Sequence, residues 1–220
     1  ATSPDTLILQ IGYCVVDKRV PVDRGSLLLD WTQPDSGVDP GWLANSIERT
    51  RSAMAQKGKP YHVTIERMQN EGCHPIQALS DFVDLLTLTG VKGFRYVGHN
   101  AYMYDRRLME AASSRYGVPF VFPKDSVLDT GMIEKAMGLR QGFDSRGSSD
   151  DWNEFVYRAY SKTKWSLDGA CADRYDLYGR SKLAAADAHD AGVDCLLTHH
   201  LLEAMRDLSE DTSDVDGSLV

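Results

Sequence analysis

His189 and Asp194 are the residues whose chemistry is easiest to place. An imidazole titrates near neutrality and suits general-base work. An aspartate is a hard oxygen donor for a divalent cation. The pair stands in Ala188-His189-Asp190-Ala191-Gly192-Val193-Asp194, just ahead of the apolar run Cys195-Leu196-Leu197. Same-face helical neighbours are three or four residues apart, and these two are five apart. They share a site only if His189 lies on the loop or first turn leading into a helix. The competing reading is a surface histidine and a surface aspartate, and Asp187 and Asp190 close by suit it.

A second group is Gly98-His99-Asn100-Ala101-Tyr102-Met103-Tyr104-Asp105-Arg106-Arg107. A strand runs into a loop, and an aspartate follows early in the next helix. Sites in α/β folds sit at the carboxyl ends of strands. Asp105 equally suits a helix N-terminus on dipole grounds alone. A third stretch, Leu9-Gln10-Ile11-Gly12, reads by itself as core strand. His199 and His200 are adjacent and point apart on a helix, which places them at a rim. Trp152, Phe155, Tyr157, Tyr160 and Trp165, with Lys162 and Lys164, suit base stacking or, more simply, a satellite core.

The elements that must position these residues follow from periodicity. A buried strand is predicted over 6–16, a turn at 17–19, and a second strand over 20–31 weakened by Pro21 and Gly25. A turn-rich loop covers 33–40. Helices are predicted over 41–56, 64–72 and 75–88, the last with an Ile76, Leu79, Phe82, Val83, Leu86 stripe. A short strand over 94–97, a helix over 102–116, a strand end at 127–130 and a helix over 131–139 follow. The Gly- and Ser-rich stretch 141–151 reads as a flexible loop. Helices are predicted from Ser166 to Tyr175 and from His189 to Leu208. The sum is an α/β domain with a mixed sheet and flanking helices.

That domain spans 1–208, with an acidic, disordered tail over 209–220. Apolar residues make up 42% of 220, enough for a core. No apolar run nears the roughly 18 residues of a membrane span. Net charge is −8, unlike a protein that coats nucleic acid non-specifically. Cys14, Cys73, Cys171 and Cys195 are too scattered for a zinc ribbon and read as reduced, mostly buried thiols. The start Ala1-Thr2-Ser3-Pro4-Asp5 lacks the basic stretch of a secretory leader, so a cytoplasmic location is expected.

In this order, the three groups resemble the DEDDh exonucleases, the DnaQ-like branch of the ribonuclease-H-like fold. The Ile8-to-Gly12 strand, His62-Val63-Thr64-Ile65-Glu66, Gly72-to-Leu79, Gly98-His99-Asn100 with Asp105, Asp129-Thr130, Ser166-Leu167-Asp168 and His189 with Asp194 carry the likeness over about 7–205. The resemblance implies metal-dependent release of nucleoside 5′-monophosphates from the 3′ end of single-stranded DNA or short RNA. It implies two Mg²⁺ or Mn²⁺ ions roughly 4 Å apart. Asp105 and Asp194 would be metal ligands and His189 the general base. His99, Asn100 and Gln10 would contact or orient substrate. The implied partners are a single-stranded 3′ end and either a second copy or a polymerase.

Two departures matter. Asn100 and Asp105 are five apart where the commonest form of the motif has four, closer to the oligoribonuclease-like variant. The family's Asp-x-Glu, due about a dozen residues before Gln10, is not in this sequence, and with it the first strand of the fold. An Asp-x-Glu encoded just upstream of Ala1 is the expectation. The alternative function is an inactive nuclease-fold module that binds nucleic acid or a protein partner.

Overall fold

The computed structural model describes residues 7–91, 95–120, 127–139, 149–159 and 166–213. It opens on an antiparallel hairpin, β1 (Gln10–Asp17) with β2 (Val20–Leu28). Pairing runs on past β2, where the Leu29 N–H donates to the Leu9 carbonyl at 3.0 Å. Lys18 and Arg19 both adopt positive φ, 47° and 69°. That left-handed pair matches the twist of a two-residue hairpin turn. Neither residue is glycine, so the turn carries backbone strain. Arg19 ties it down through ion pairs to Glu203 and, at 3.0 Å, Asp207. Pro21 lies where the register slips between Val15 and Val16. A bulge is where a strand tolerates a residue with no N–H.

Helices follow. α1 (Pro40–Gln56) starts at Asp39, whose carboxylate accepts the Trp42 N–H at 2.7 Å. α2 (Ile65–Glu71) is capped by Thr64, whose hydroxyl accepts the Arg67 N–H at 3.0 Å. α3 (Pro75–Val91) begins on its proline, as the sequence predicts. Between α2 and α3, Cys73 bridges to Leu29 in parallel sense. β3 (Tyr96–Gly98) leads to α4 (Asp105–Tyr116), which ends at Gly117 with φ 66°. β4 (Val127–Asp129) pairs in parallel with β3 and runs straight into α5 (Thr130–Leu139). Then come α6 (Ser149–Ala159), a π-type turn (Leu167–Cys171), α7 (Leu177–Ser181) and α8 (Ala191–Ser213).

The architecture is mixed α/β. The sequence leads to one mixed sheet; the described residues form two separate two-stranded sheets, one antiparallel and one parallel. β3 and β4 have three residues each, too few to extend a ladder far. The element common to both sheets is α8, which packs on β1, β2 and β3. One core lies under the hairpin and first helices, around Leu29, Trp31, Leu43, Met68 and Leu79. The Trp31 indole N–H donates to the Ile8 carbonyl at 2.8 Å. A second core joins α7 and α8 through Cys171, Leu177, Leu197 and Leu201.

Three further differences have local causes. Ser149–Asp151, predicted as the end of a loop, opens α6, because Val156 and Trp152 pack on Met132 and Ala136 of α5. Residues 141–148 of that loop, with Tyr160 to Trp165, lie outside the described residues. Phe155 is half exposed, so only part of the aromatic group forms the satellite core. The helix predicted to Tyr175 is a single wide turn, in which the Cys171 N–H reaches the Ser166 carbonyl at 3.3 Å. Burial of Cys171 and Ala172 accompanies that widening. α8 continues to Ser213, through the first residues of the expected tail; 214–220 lie outside the described residues. The four cysteines are free, but only Cys171 is fully buried. Among the described residues no helix is long and apolar enough to cross a membrane.

α8 sits so close to β1 that a Cβ on Gly12 would lie 2.1 Å from the Ala191 carbonyl oxygen. Gly12→Ala is therefore expected to destabilise the fold by about 1–3 kcal/mol. Urea denaturation followed by far-UV circular dichroism checks this. An unchanged midpoint would mean the helix and strand are not in this contact.

Candidate functional site

The start of α8 is built by three side chains and one backbone amide. Asp190 caps it, one carboxylate oxygen accepting the Gly192 and Val193 N–H groups at 3.0 and 3.3 Å. Its other oxygen accepts the Gln10 amide at 2.7 Å, and the Gln10 carbonyl accepts the Ala191 N–H at 3.3 Å. Gln10 therefore holds the helix start against β1. His189 lies two residues before the helix, with φ 68°. Its backbone N–H donates to the Asp194 carboxylate at 3.2 Å. Side chains on a helix lean toward its N-terminus, so Asp194 reaches back over the first turn. His189 is on the incoming loop, the position the five-residue spacing requires.

Burial raises the Asp194 carboxyl above its usual range, and the charges of Asp168 and Asp190 add to the rise. The His189 N–H and ring oppose it. Asp168 comes from the π-type turn. Lys59 donates to one of its oxygens at 2.5 Å and the Tyr178 hydroxyl to the other. The His189 Nε2 is 3.5 Å from the oxygen shared with Lys59. Burial works against the Asp168 carboxylate, but the Lys59 and Tyr178 hydrogen bonds and the Lys59 and His189 charges together hold it low.

The Gly98-His99-Asn100 loop is anchored by Asp129, which is buried. Its carboxylate accepts the backbone N–H groups of Asn100, Tyr102, Gly131 and Met132 at 2.8 to 3.2 Å. Asn100 sits at φ 59°, a region asparagine tolerates, and its side-chain oxygen accepts Lys135 at 3.3 Å. The Thr130 hydroxyl donates to the Gly98 carbonyl at 3.1 Å, so His99 Nδ1, 3.1 Å from that hydroxyl, is the donor to it. Asp105 then opens α4. It keeps an exposed surface yet is ringed by protein. Desolvation first, and the Asp129 charge second, raise its carboxyl to about 6. No hydrogen bond among the described residues reaches its carboxylate.

Cys195 feels the charge of both Asp105 and Asp194. Burial pushes that thiol up to about 12, and the charges of Cys14, Asp194, Asp105 and Asp190 push the same way. The structure thus joins His189 to Asp194 directly, links Gln10 to them through Asp190, and sets Asp105 in the same neighbourhood. His99 and Asn100 bond instead to Thr130 and Lys135 of α5. Asp168, Lys59 and Tyr178 were not singled out as site residues in the sequence. Ser166-Leu167-Asp168 marks a helix start, but nothing in its spacing points to Lys59, 109 residues earlier.

Each of these raised carboxyls is an acid that a cation would relieve, so Asp105 and Asp194 suit a hard divalent ion in donor type and charge. Among the described residues no three His, Cys, Asp or Glu side chains are placed to hold an ion by themselves. No protein-family model, curated protein or solved structure matches this chain.

The Asp105 carboxyl gains a proton more readily when folded than when unfolded, where it titrates near roughly 3.9. The stabilisation this brings is complete below that value and is lost as pH rises through about 6. In EDTA, Asp105→Asn is expected to raise the urea midpoint at about pH 7.5 and to leave it unchanged near about pH 3.5. A pH-independent difference would show that the acid is not desolvated.

Proposed function

We propose that the chain is a ribonuclease-H-like domain of the DEDDh type, acting as a metal-dependent 3′–5′ exonuclease on single-stranded DNA or short RNA. The observation that supports this reading is the His189 loop, whose backbone N–H bonds to the Asp194 carboxylate five residues on. His189 accepts the proton of the attacking water. Asp194, with its second oxygen uncommitted among the described residues, and Asp105 hold the cations. When bound, Mg²⁺ or Mn²⁺ supplies Lewis-acid stabilisation of charge on the phosphoryl oxygens. Gln10 orients the site from behind by fixing α8, and His99 and Asn100 would contact substrate from the β3 end. The partners under this reading are a single-stranded 3′ end and a second copy or a polymerase, in the cytoplasm.

The Lys59–Asp168 ion pair favours a second reading. A lysine ammonium already neutralises one acid of the group, as in a nuclease fold that only binds nucleic acid or a protein partner.

A 5′-labelled single-stranded oligonucleotide separates the two. In Mn²⁺ it should shorten stepwise from its 3′ end, with no change in EDTA. His189→Ala and Asp194→Ala should each slow this by about 10²-fold or more. An oligonucleotide that is bound but stays intact supports the module instead, and one neither bound nor cut counts against nucleic acid altogether.

A further inference from the structure

We infer that Asp168 is a positioning residue for His189, holding its ring with the proton on Nε2 so that Nδ1 is the nitrogen that takes a proton from water. The inference rests on His189 as general base.

His189 Nε2 is shut off from solvent and, among the described residues, has no hydrogen-bond partner. The acid it faces is Asp168, 3.5 Å away. The other nearby carboxylates are committed elsewhere. Asp194 takes the backbone N–H of His189, so it fixes the loop and not the ring. Asp190 is used by Gln10 and the first amides of α8.

A carboxylate only accepts hydrogen bonds. A neutral imidazole facing one is most stable with its single N–H on that side. Nε2 therefore carries the proton, and the Nδ1 lone pair points away from Asp168. The carboxylate is itself clamped from two directions. Lys59, after α1, holds Oδ2, and Tyr178, on α7, holds Oδ1. With both oxygens held, the carboxylate plane cannot turn away from the ring.

At 3.5 Å the contact is longer than a hydrogen bond. It strengthens when charge appears. A water O–H proton moves to Nδ1 as the oxygen's electron pair goes to phosphorus. The bond from phosphorus to the 3′ oxygen of the preceding nucleotide breaks, its electron pair leaving with that oxygen, which takes a proton from solvent. The ring becomes imidazolium, keeps its Nε2 proton, and carries its positive charge beside Asp168. Asp168 takes no proton. An interaction stronger in the charged state than in the resting state is the kind that accelerates a reaction.

A simple brace between the Lys59 loop and α7 would predict nothing about the tautomer, so the test reads the tautomer. Protein labelled with ¹⁵N in its histidines is examined at alkaline pH by long-range ¹H–¹⁵N correlation. The His189 signals are assigned by their loss in His189→Gln. The wild-type ring is expected to be Nε2–H. Asp168→Asn should scramble or reverse that state. It should also lower kcat by about 10²–10⁴-fold with little change in KM. Tyr178→Phe leaves the acid in place and should keep the wild-type tautomer. An Nδ1–H ring in the wild-type protein overturns the inference, and this needs no variant to fold. So does an Nε2–H ring that is unchanged in a folded Asp168→Asn protein. If the tautomer behaves as expected but the oligonucleotide stays intact in Mn²⁺, the Asp168–His189 pairing stands and the exonuclease reading falls.

Discussion

The contact on which the rest of this structure depends is the amide of Gln10 bridging Asp190 and Ala191. A helix begins with backbone N–H groups that have no partner inside it. Here the Asp190 carboxylate satisfies two of them, and a side chain from β1 satisfies a third. The cap and the sheet contact are therefore one structure. Gly12 permits it, since any side chain there would meet the Ala191 backbone. Once the helix start is fixed, the orientation of α8 follows, and Leu197 and Leu201 are delivered to the second core. The same placement sets His189 and Asp194 at the helix mouth. Packing and site share one anchor, so a change in Gln10 or Gly12 reaches both.

The acids of this chain divide by how their charge is met. Glu134 is buried but has Arg174 and the Tyr175 hydroxyl. Asp129 is buried but has four backbone amides. Such acids are structural, and their burial is stabilised by the bonds they accept. Arg67–Glu71 and Arg106–Glu110 are exposed helix pairs of little weight. Asp105 and Asp194 belong to neither group. Both are desolvated, both lie near other negative charges, and neither has a cationic side chain bonded to it. Keeping each of them desolvated bears a cost that packing does not explain.

Much of the architecture is legible in the sequence because it is local. Asp39, Thr64 and Pro75 mark their helix starts, and Gly117 marks a helix end. The hairpin is legible too, although Pro21 obscures it, since a bulge cannot be read from one strand alone. The wide turn at Leu167–Cys171 is not legible, because its hydrogen-bonding depends on what Cys171 packs against. The site divides the same way. His189 with Asp194 is a local pattern, and so is the placement of Asp105 at a helix start. The Lys59–Asp168–Tyr178 group is assembled across 109 and 10 residues of chain, and no periodicity reports it. Gln10 is half legible: its strand is evident, but its role is visible only once α8 is laid beside it.

The five-residue interval between His189 and Asp194 has a physical basis in the same geometry. In an uninterrupted helix it would turn the two residues to different faces. Here the helix proper begins at Ala191, and the chain reaches it through a left-handed residue, His189 at φ 68°. That turn redirects the backbone so that the His189 N–H points at the helix and is satisfied by Asp194. With that amide bonded, the strained residue is held in place, and its ring is directed sideways toward Asp168. A shorter interval would bring the histidine into the first helical turn and lose both effects. The spacing that looks wrong for a helix is right for a helix preceded by one left-handed residue.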